Sequence, residues 1–378
     1  MGAHRWPQVH LRDETMREGM QIESAEIPVA EKIELIRRLA ETGVRTIVIG
    51  SFVSPRYTPQ MAHIDEIAAA ITPVDGVEFQ ALVLNEKGAQ RRAKYHPVIS
   101  DRWTNRPALV TDLCDTFGRR NVNTTRAERI ATWPAQVQAA VAAGVSEVQL
   151  CIGSAWGSNF QGRFSHGDRM SMAELQYDLW TTAGVRVAEV NFADPMSWCL
   201  PHVIEEQLEI VLDKWPDITD FTLHLHNARN MALPSIYAAM RVLDDRHHLY
   251  IDATAGGIGG CPYCGNGRAT GMAPMEDLVV MLEEMGIDTG IDIMKYVAVV
   301  KHLESVLGRT TDGHVSRAGP PPGRDRLYDP NLPLVETFEQ AGHWLYGPEV
   351  AADGVYPWNQ PIPHPDPDTP IALPQRGR

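Results

Sequence analysis

Short runs rich in β-branched residues alternate along most of the chain with longer runs whose apolar residues recur at helical spacing. The strand-like runs are Val9–Thr15, Thr46–Gly50, Val77–Leu84, Glu147–Gly153, Val185–Phe192, Asp220–His226 and His248–Thr254. Helical patterns fill Val29–Thr42, Met61–Ile71, Ala127–Ala143, Ser171–Ala183, Pro201–Lys214, Leu233–Leu243 and Met275–Met285. From Glu86 to Leu113 the texture is mixed, a basic stretch followed by the apolar run ALVTDL, which supplies the remaining strand. Strands separated by helices of ~10–15 residues point to a parallel sheet, since a parallel neighbour is reached only by a crossover. Eight units in roughly 300 residues predict an α/β fold of the (β/α)8 TIM-barrel type, with a doubly wound open sheet as the alternative.

The texture changes near Arg317. AGPPPGRDRLYDPNLPL and YPWNQPIPHPDPDTPIALPQRGR are Pro-rich and aperiodic, and VETFEQAGHWLYG between them reads as one short helix. The expected division is a barrel over residues 1–318 and a Pro-rich C-terminal arm over 319–378, lying over the barrel or a partner subunit. Its last ~15 residues are expected to be mobile.

The 34 Lys and Arg against 48 Asp and Glu leave a net charge of −14, which argues against a nucleic-acid or anionic-membrane binder. An anionic small substrate stays open, because a local Arg or metal ion can hold one. Five cysteines, an odd number, read as reduced thiols of a cytoplasmic protein. The N-terminus shows no apolar secretory core, and no run of about 18 apolar residues occurs. A homodimer or larger homo-oligomer is expected.

Three constellations could carry chemistry. His224 and His226 stand two apart at the end of the seventh strand-like run, so both side chains share one face at the mouth where barrel active sites lie. Two imidazoles so placed can hold one metal ion, or be ordinary rim histidines. Asp13 to Gln21 (DETMREGMQ) gathers carboxylates, a guanidinium and a carboxamide after the first strand. A carboxylate there can complete a site with the histidines, and an Arg can hold a carboxylate or polarise a carbonyl. The glycine-dense run GGIGGCPYCGNGR after the last strand suggests a flexible mouth loop whose thiol donates a proton on closure. Its Cys261-x-x-Cys264 spacing also allows a redox or zinc role. Asp194, Ser51 and Gln149 are further polar residues at strand ends, and Arg56, Arg119 and Arg120 are cations of the kind a CoA phosphate seeks.

Together these segments resemble the DRE-TIM metallolyase superfamily, and within it the 3-hydroxy-3-methylglutaryl-CoA lyase-like enzymes. DETMREGMQ resembles their first-strand motif, SFVSPRYTPQM and FGRRNVNTT two further lyase segments, HLHN the two-histidine metal motif, GGIGGCPY the cysteine-bearing loop, and EDLVVMLEEMGIDTGID the helix after it. The resemblance runs from about Asp13 to Gly319. It implies a divalent metal, Mg or Mn first and Co or Zn as alternatives, held by Glu18, His224 and His226. It implies Arg17 as the enolate-stabilising group and Cys261 as the loop thiol, with Asp194 and Gln21 as further catalytic residues. The substrate would be an acyl-CoA or hydroxy acid, cleaved through an enolate.

The chain departs from the pattern at several positions. Glu18 stands where lyases have Asp, as in homocitrate synthases. Val48 replaces a lyase Glu. The Asn ligand after the cysteine loop falls on Gly271 or Met272, with Asn266 as a substitute, and SAWGSNFQG differs from the usual lyase segment. The expected activity is metal-dependent carbon–carbon cleavage. The alternatives are a Claisen-type synthase joining an acyl-CoA to a 2-oxo acid and a non-catalytic binding barrel.

Overall fold

The computed structural model describes residues 5–100, 106–366 and 368. The barrel strands are β1 (Gln8–Asp13), β2 (Thr46–Ser51), β3 (Glu78–Leu82), β4 (Thr111–Asp112), β5 (Glu147–Gly153), β6 (Arg186–Asp194), β7 (Asp220–Leu225) and β8 (His248–Ala253). They form one sheet in the order β3-β2-β1-β8-β7-β6-β5-β4, every pairing parallel. First and last strands pair side by side, Arg12 beside Asp252 and Asp13 beside Ala253. The sheet is therefore curled, as in a TIM barrel. The segment between β3 and β4 makes single bridges to its neighbours, Ile99 to Phe79 of β3 and Ala108 to Gln149 of β5.

The helices are α1 (Val29–Ala40), α2 (Ile64–Ala70), α3 (Glu86–Ala93), α4 (Asp115–Val122), α5 (Arg126–Ala142), α6 (His166–Thr182), α7 (Pro201–Lys214), α8 (Ala232–Val242), α9 (Met275–Glu284) and α10 (Ile293–Leu307). In α1, Leu35, Ile36 and Leu39 are buried in the shared core with Ile47 and Ile49 of β2. Each such side chain contributes about 1.5–3 kcal/mol. Two capping boxes, Thr125 with Glu128 and Ser165 with Asp168, start α5 and α6. The second begins α6 five residues before its expected start at Ser171. Helices α3, α4 and α10 add to the pattern read from sequence, and SAWGSNFQG folds into a two-stranded hairpin pairing Gly157–Ser158 with Gly162–Arg163.

The chain divides into two compact units, Met1–Gly313 and His314–Arg378. The division falls five residues before the expected boundary, because the short helix Val315–Ala318 belongs to the second unit. Within that unit VETFEQAGHWLYG makes two short helices, Phe338–Ala341 and His343–Tyr346, broken at Gly342. Trp344 packs on Gly319, where a Cβ would come within 2.7 Å of the ring, and its Nε1 donates to the Arg317 carbonyl at 3.1 Å. Most of the tail expected to be mobile lies outside the described residues.

At the N-terminal end of the sheet Arg106 reaches Glu147 at 3.0 Å, Glu189 at 3.2 Å and Asp220 at 2.7 Å. Glu189 and Asp220 are buried, and Arg106 is the cation set against both. Arg106→Ala is expected to lower stability by about 3 kcal/mol by leaving buried carboxylates uncompensated. Urea unfolding at neutral pH checks this, and a loss below about 1 kcal/mol would mean that the cluster is screened by water.

Candidate active site

The site begins where β1 ends. The Glu14 carbonyl accepts from three successive amides, those of Arg17, Glu18 and Gly19, at 3.1, 2.8 and 3.1 Å. This wide turn replaces the strand expected to run to Thr15 and folds Arg17 and Glu18 back over the mouth. Gly19 packs closely there, since a Cβ would meet the Ile258 side chain at 2.8 Å.

Glu18, His224 and His226 converge, with one possible ligand atom from each lying within 4.8 Å of the other two. The His226 Nε2 is 3.5 Å from the Glu18 Oε1. Each imidazole is oriented through its other nitrogen. The His224 Nδ1 lies 2.8 Å from the Asp252 Oδ2 and donates to it, which leaves the Nε2 lone pair free. The His226 Nδ1 lies 3.1 Å from the Thr270 Oγ1. That hydroxyl donates its own hydrogen to the Gly267 carbonyl at 3.0 Å, so the imidazole Nδ1–H is the donor and Nε2 is free. Burial, and then His224, push the His226 pKa well below its ordinary value, keeping the ring neutral as a ligand must be. A carboxylate with two imidazoles, each backed by an oxygen, fits a divalent cation.

Behind the histidines runs a chain of charges. The Arg12 Nε donates to the Asp252 Oδ1 at 2.6 Å. Burial opposes the Asp252 charge, but Arg12 and His224 outweigh it and hold the carboxyl below its ordinary value. Arg17 donates to the Glu18 Oε2, and its Nε faces the Glu14 Oε2 at 3.9 Å. Burial raises the Glu14 pKa, a shift that Arg17 opposes. Gln21 donates to the Glu18 Oε1 at 3.0 Å and to the Gly260 carbonyl at 3.3 Å, tying the carboxylate to the glycine-rich loop.

The loop lies folded over the mouth. Cys261 pairs with Gly267, and a Cβ on Gly260 would come within 2.4 Å of the Gly267 carbonyl. The Arg120 Nε donates to the Tyr263 carbonyl at 2.8 Å, and the Asn159 Nδ2 to the Cys264 carbonyl at 3.0 Å. The Cys261 amide donates to the Thr270 Oγ1 at 3.2 Å, so the loop and His226 share one hydroxyl. A hydrogen bond from Cys264 lowers the Cys261 pKa, while the same contact and burial push the Cys264 thiol up. The Cys264 Sγ also lies 3.1 Å from the Pro195 carbonyl. All five cysteines are unpaired by disulfides.

Arg17, Glu18, Gln21, His224 and His226 thus come together, with Cys261 on the loop joined to them through Thr270 and Gly260. Asp194 faces elsewhere: its two carboxylate oxygens accept from the Trp198 and Cys199 amides at 2.9 and 2.7 Å, and burial raises its pKa to about 6. Asn266 uses its amide oxygen on the Asn159 Nδ2 at 3.2 Å. Arg119 pairs with Asp115 at 2.8 Å. Sequence reasoning missed Arg12, Asp252, Thr270 and Glu14. An acid at the end of an otherwise apolar strand, as in LYIDA, was the available signal for Asp252.

The HMGL-like family model matches residues 8–302. The chain belongs to the HMGL-like family. An (R)-citramalyl-CoA lyase of Chloroflexus aurantiacus is 34% identical over 82% of this chain and 95% of its own length. A hydroxymethylglutaryl-CoA lyase of Pseudomonas mevalonii is 29% identical over 80% and 93%. Among solved structures, an HMG-CoA lyase from Acinetobacter baumannii in complex with coenzyme A and 3-methylmalate covers 84% of this chain and 96% of its own, at 28% identity and a TM-score of 0.67.

If Asp252 sets the His224 tautomer for metal ligation, Asp252→Asn should weaken Mn2+ binding by about 10–100-fold while the fold persists. Titration calorimetry with Mn2+ and far-ultraviolet circular dichroism read the two effects separately. Unchanged affinity would remove Asp252 from the site.

Proposed function

We propose that this chain is a divalent-metal-dependent carbon–carbon lyase that cleaves the CoA thioester of a 3-hydroxy acid. The carrying observation is the convergence of Glu18 with the imidazoles of His224 and His226, beneath a loop that brings Cys261 over the same mouth. Glu18, His224 and His226 would hold the ion. When bound, the ion supplies positive charge that acidifies the substrate hydroxyl.

Arg17 presents a guanidinium to the oxygen on which enolate charge develops. Cys261 delivers a proton to the enolate carbon, and its hydrogen bond with Cys264 sets the acidity of that thiol. Gln21 couples loop position to Glu18, and Asp194 serves by fixing the turn after β6. The substrate class follows the relatives, whose names specify citramalyl-CoA and hydroxymethylglutaryl-CoA. Magnesium or manganese suits the donor set, as do cobalt and zinc. We place the chain in a reducing cytosol, acting as a homo-oligomer.

Purified protein with Mg2+ or Mn2+ should convert one of these thioesters to a shorter acyl-CoA and an oxo acid, read by mass spectrometry. Arg17→Ala should lower kcat by about 10²–10³-fold with a smaller change in KM. Cys261→Ser should slow cleavage strongly and leave Mn2+ affinity intact. A KM-only effect at Arg17 would make it a substrate anchor. Full turnover in Cys261→Ser would favour the condensing chemistry for which Glu18 is known in related synthases.

A further inference from the structure

The mouth holds a buried donor and a buried acceptor that the protein leaves unpartnered. They are the Arg17 Nε and the Glu14 Oε2, 3.9 Å apart. Four other carboxylates near these strand ends already have hydrogen-bond partners within the protein. Asp13 accepts from the Thr15 amide and the Tyr296 hydroxyl, Glu18 from Arg17 and Gln21, Asp194 from two amides, and Asp252 from Arg12 and His224.

Leaving such groups unsatisfied costs about 1–3 kcal/mol each. Their complementarity identifies what satisfies them. One group that both donates and accepts closes the pair, and an alcohol is such a group. An oxygen about 2.8 Å from each atom, an ordinary hydrogen-bond length, fits the 3.9 Å separation.

We infer that Glu14 and the Arg17 Nε form the subsite for the substrate's 3-hydroxyl, and that Glu14 takes its proton. This rests on the lyase reading above. The hydroxyl O–H pair becomes the second bond of the new carbonyl, and the proton goes to the Glu14 Oε2. The bond between the hydroxyl-bearing carbon and its thioester-side neighbour breaks, and its electron pair forms the enolate. Cys261 returns one proton to that carbon, and exchange with water resets Glu14 and Cys261. The products together have the atoms of the substrate.

The test separates the two half-reactions. In D2O the loaded wild-type protein should exchange the methyl hydrogens of acetyl-CoA, which uses Arg17 and Cys261 and no hydroxyl. Glu14→Gln should lower cleavage of citramalyl-CoA or hydroxymethylglutaryl-CoA by about 10²–10³-fold and retain exchange and Mn2+ affinity within a few-fold. Glu14→Asp, which keeps the acid but withdraws it, should show an intermediate loss with exchange intact. Equal loss of cleavage and exchange in both variants would make Glu14 a support for Arg17 alone and overturn the assignment, as would unchanged cleavage. A wild-type protein that neither exchanges nor cleaves would overturn the lyase reading itself, and the Glu14 assignment with it.

Discussion

The pairing of Arg12 with Asp252 joins the first strand to the last, and the geometry of the site follows from it. Both side chains are buried, and the guanidinium takes one carboxylate oxygen while His224 takes the other. Removing one partner from such a pair costs about 3–5 kcal/mol, because the other is stranded without water. The contact across the β1–β8 seam therefore also sets which nitrogen of His224 is presented to the mouth. Two residues beyond Arg12 comes Glu14, whose backbone carbonyl gathers the turn that returns Arg17 and Glu18 to the same place.

The glycine-rich loop is linked to the ligands at two points. Thr270 accepts from both the Cys261 amide and His226, and Gln21 spans Glu18 and the Gly260 carbonyl. Two of the three candidate ligands, Glu18 and His226, are thus tied to the loop through Gln21 and Thr270.

The parallel strands were legible in the sequence because, buried on both faces, they appear as runs such as TIVIG and VQLCIG. The start of α6 was not, because a polar capping box at Ser165 and Asp168 set it ahead of the apolar pattern. Helix α10 was passed over because it follows α9 with no strand between them. At the site, spacing pointed to His224 and His226, and motif position to Glu18, Arg17 and Cys261. It did not reveal Asp252, Thr270 or Glu14, whose significance lies in which atoms face one another after the chain curls. Asp194 shows the converse. A polar strand end suggests chemistry, yet its oxygens are consumed by the turn it nucleates. A turn in which the Cys264 amide donates to the Cys261 carbonyl at 3.2 Å brings these two cysteines together.

The central claim is that one divalent ion sits among Glu18, His224 and His226. Pulsed electron paramagnetic resonance of the protein loaded with one equivalent of Mn2+ tests it directly, because directly bound imidazole nitrogens modulate the echo. Two nitrogen couplings in the wild type, reduced to one in His224→Ala and in His226→Ala, are predicted. Tightly bound Mn2+ showing no nitrogen coupling, or couplings that both substitutions leave unchanged, would contradict it.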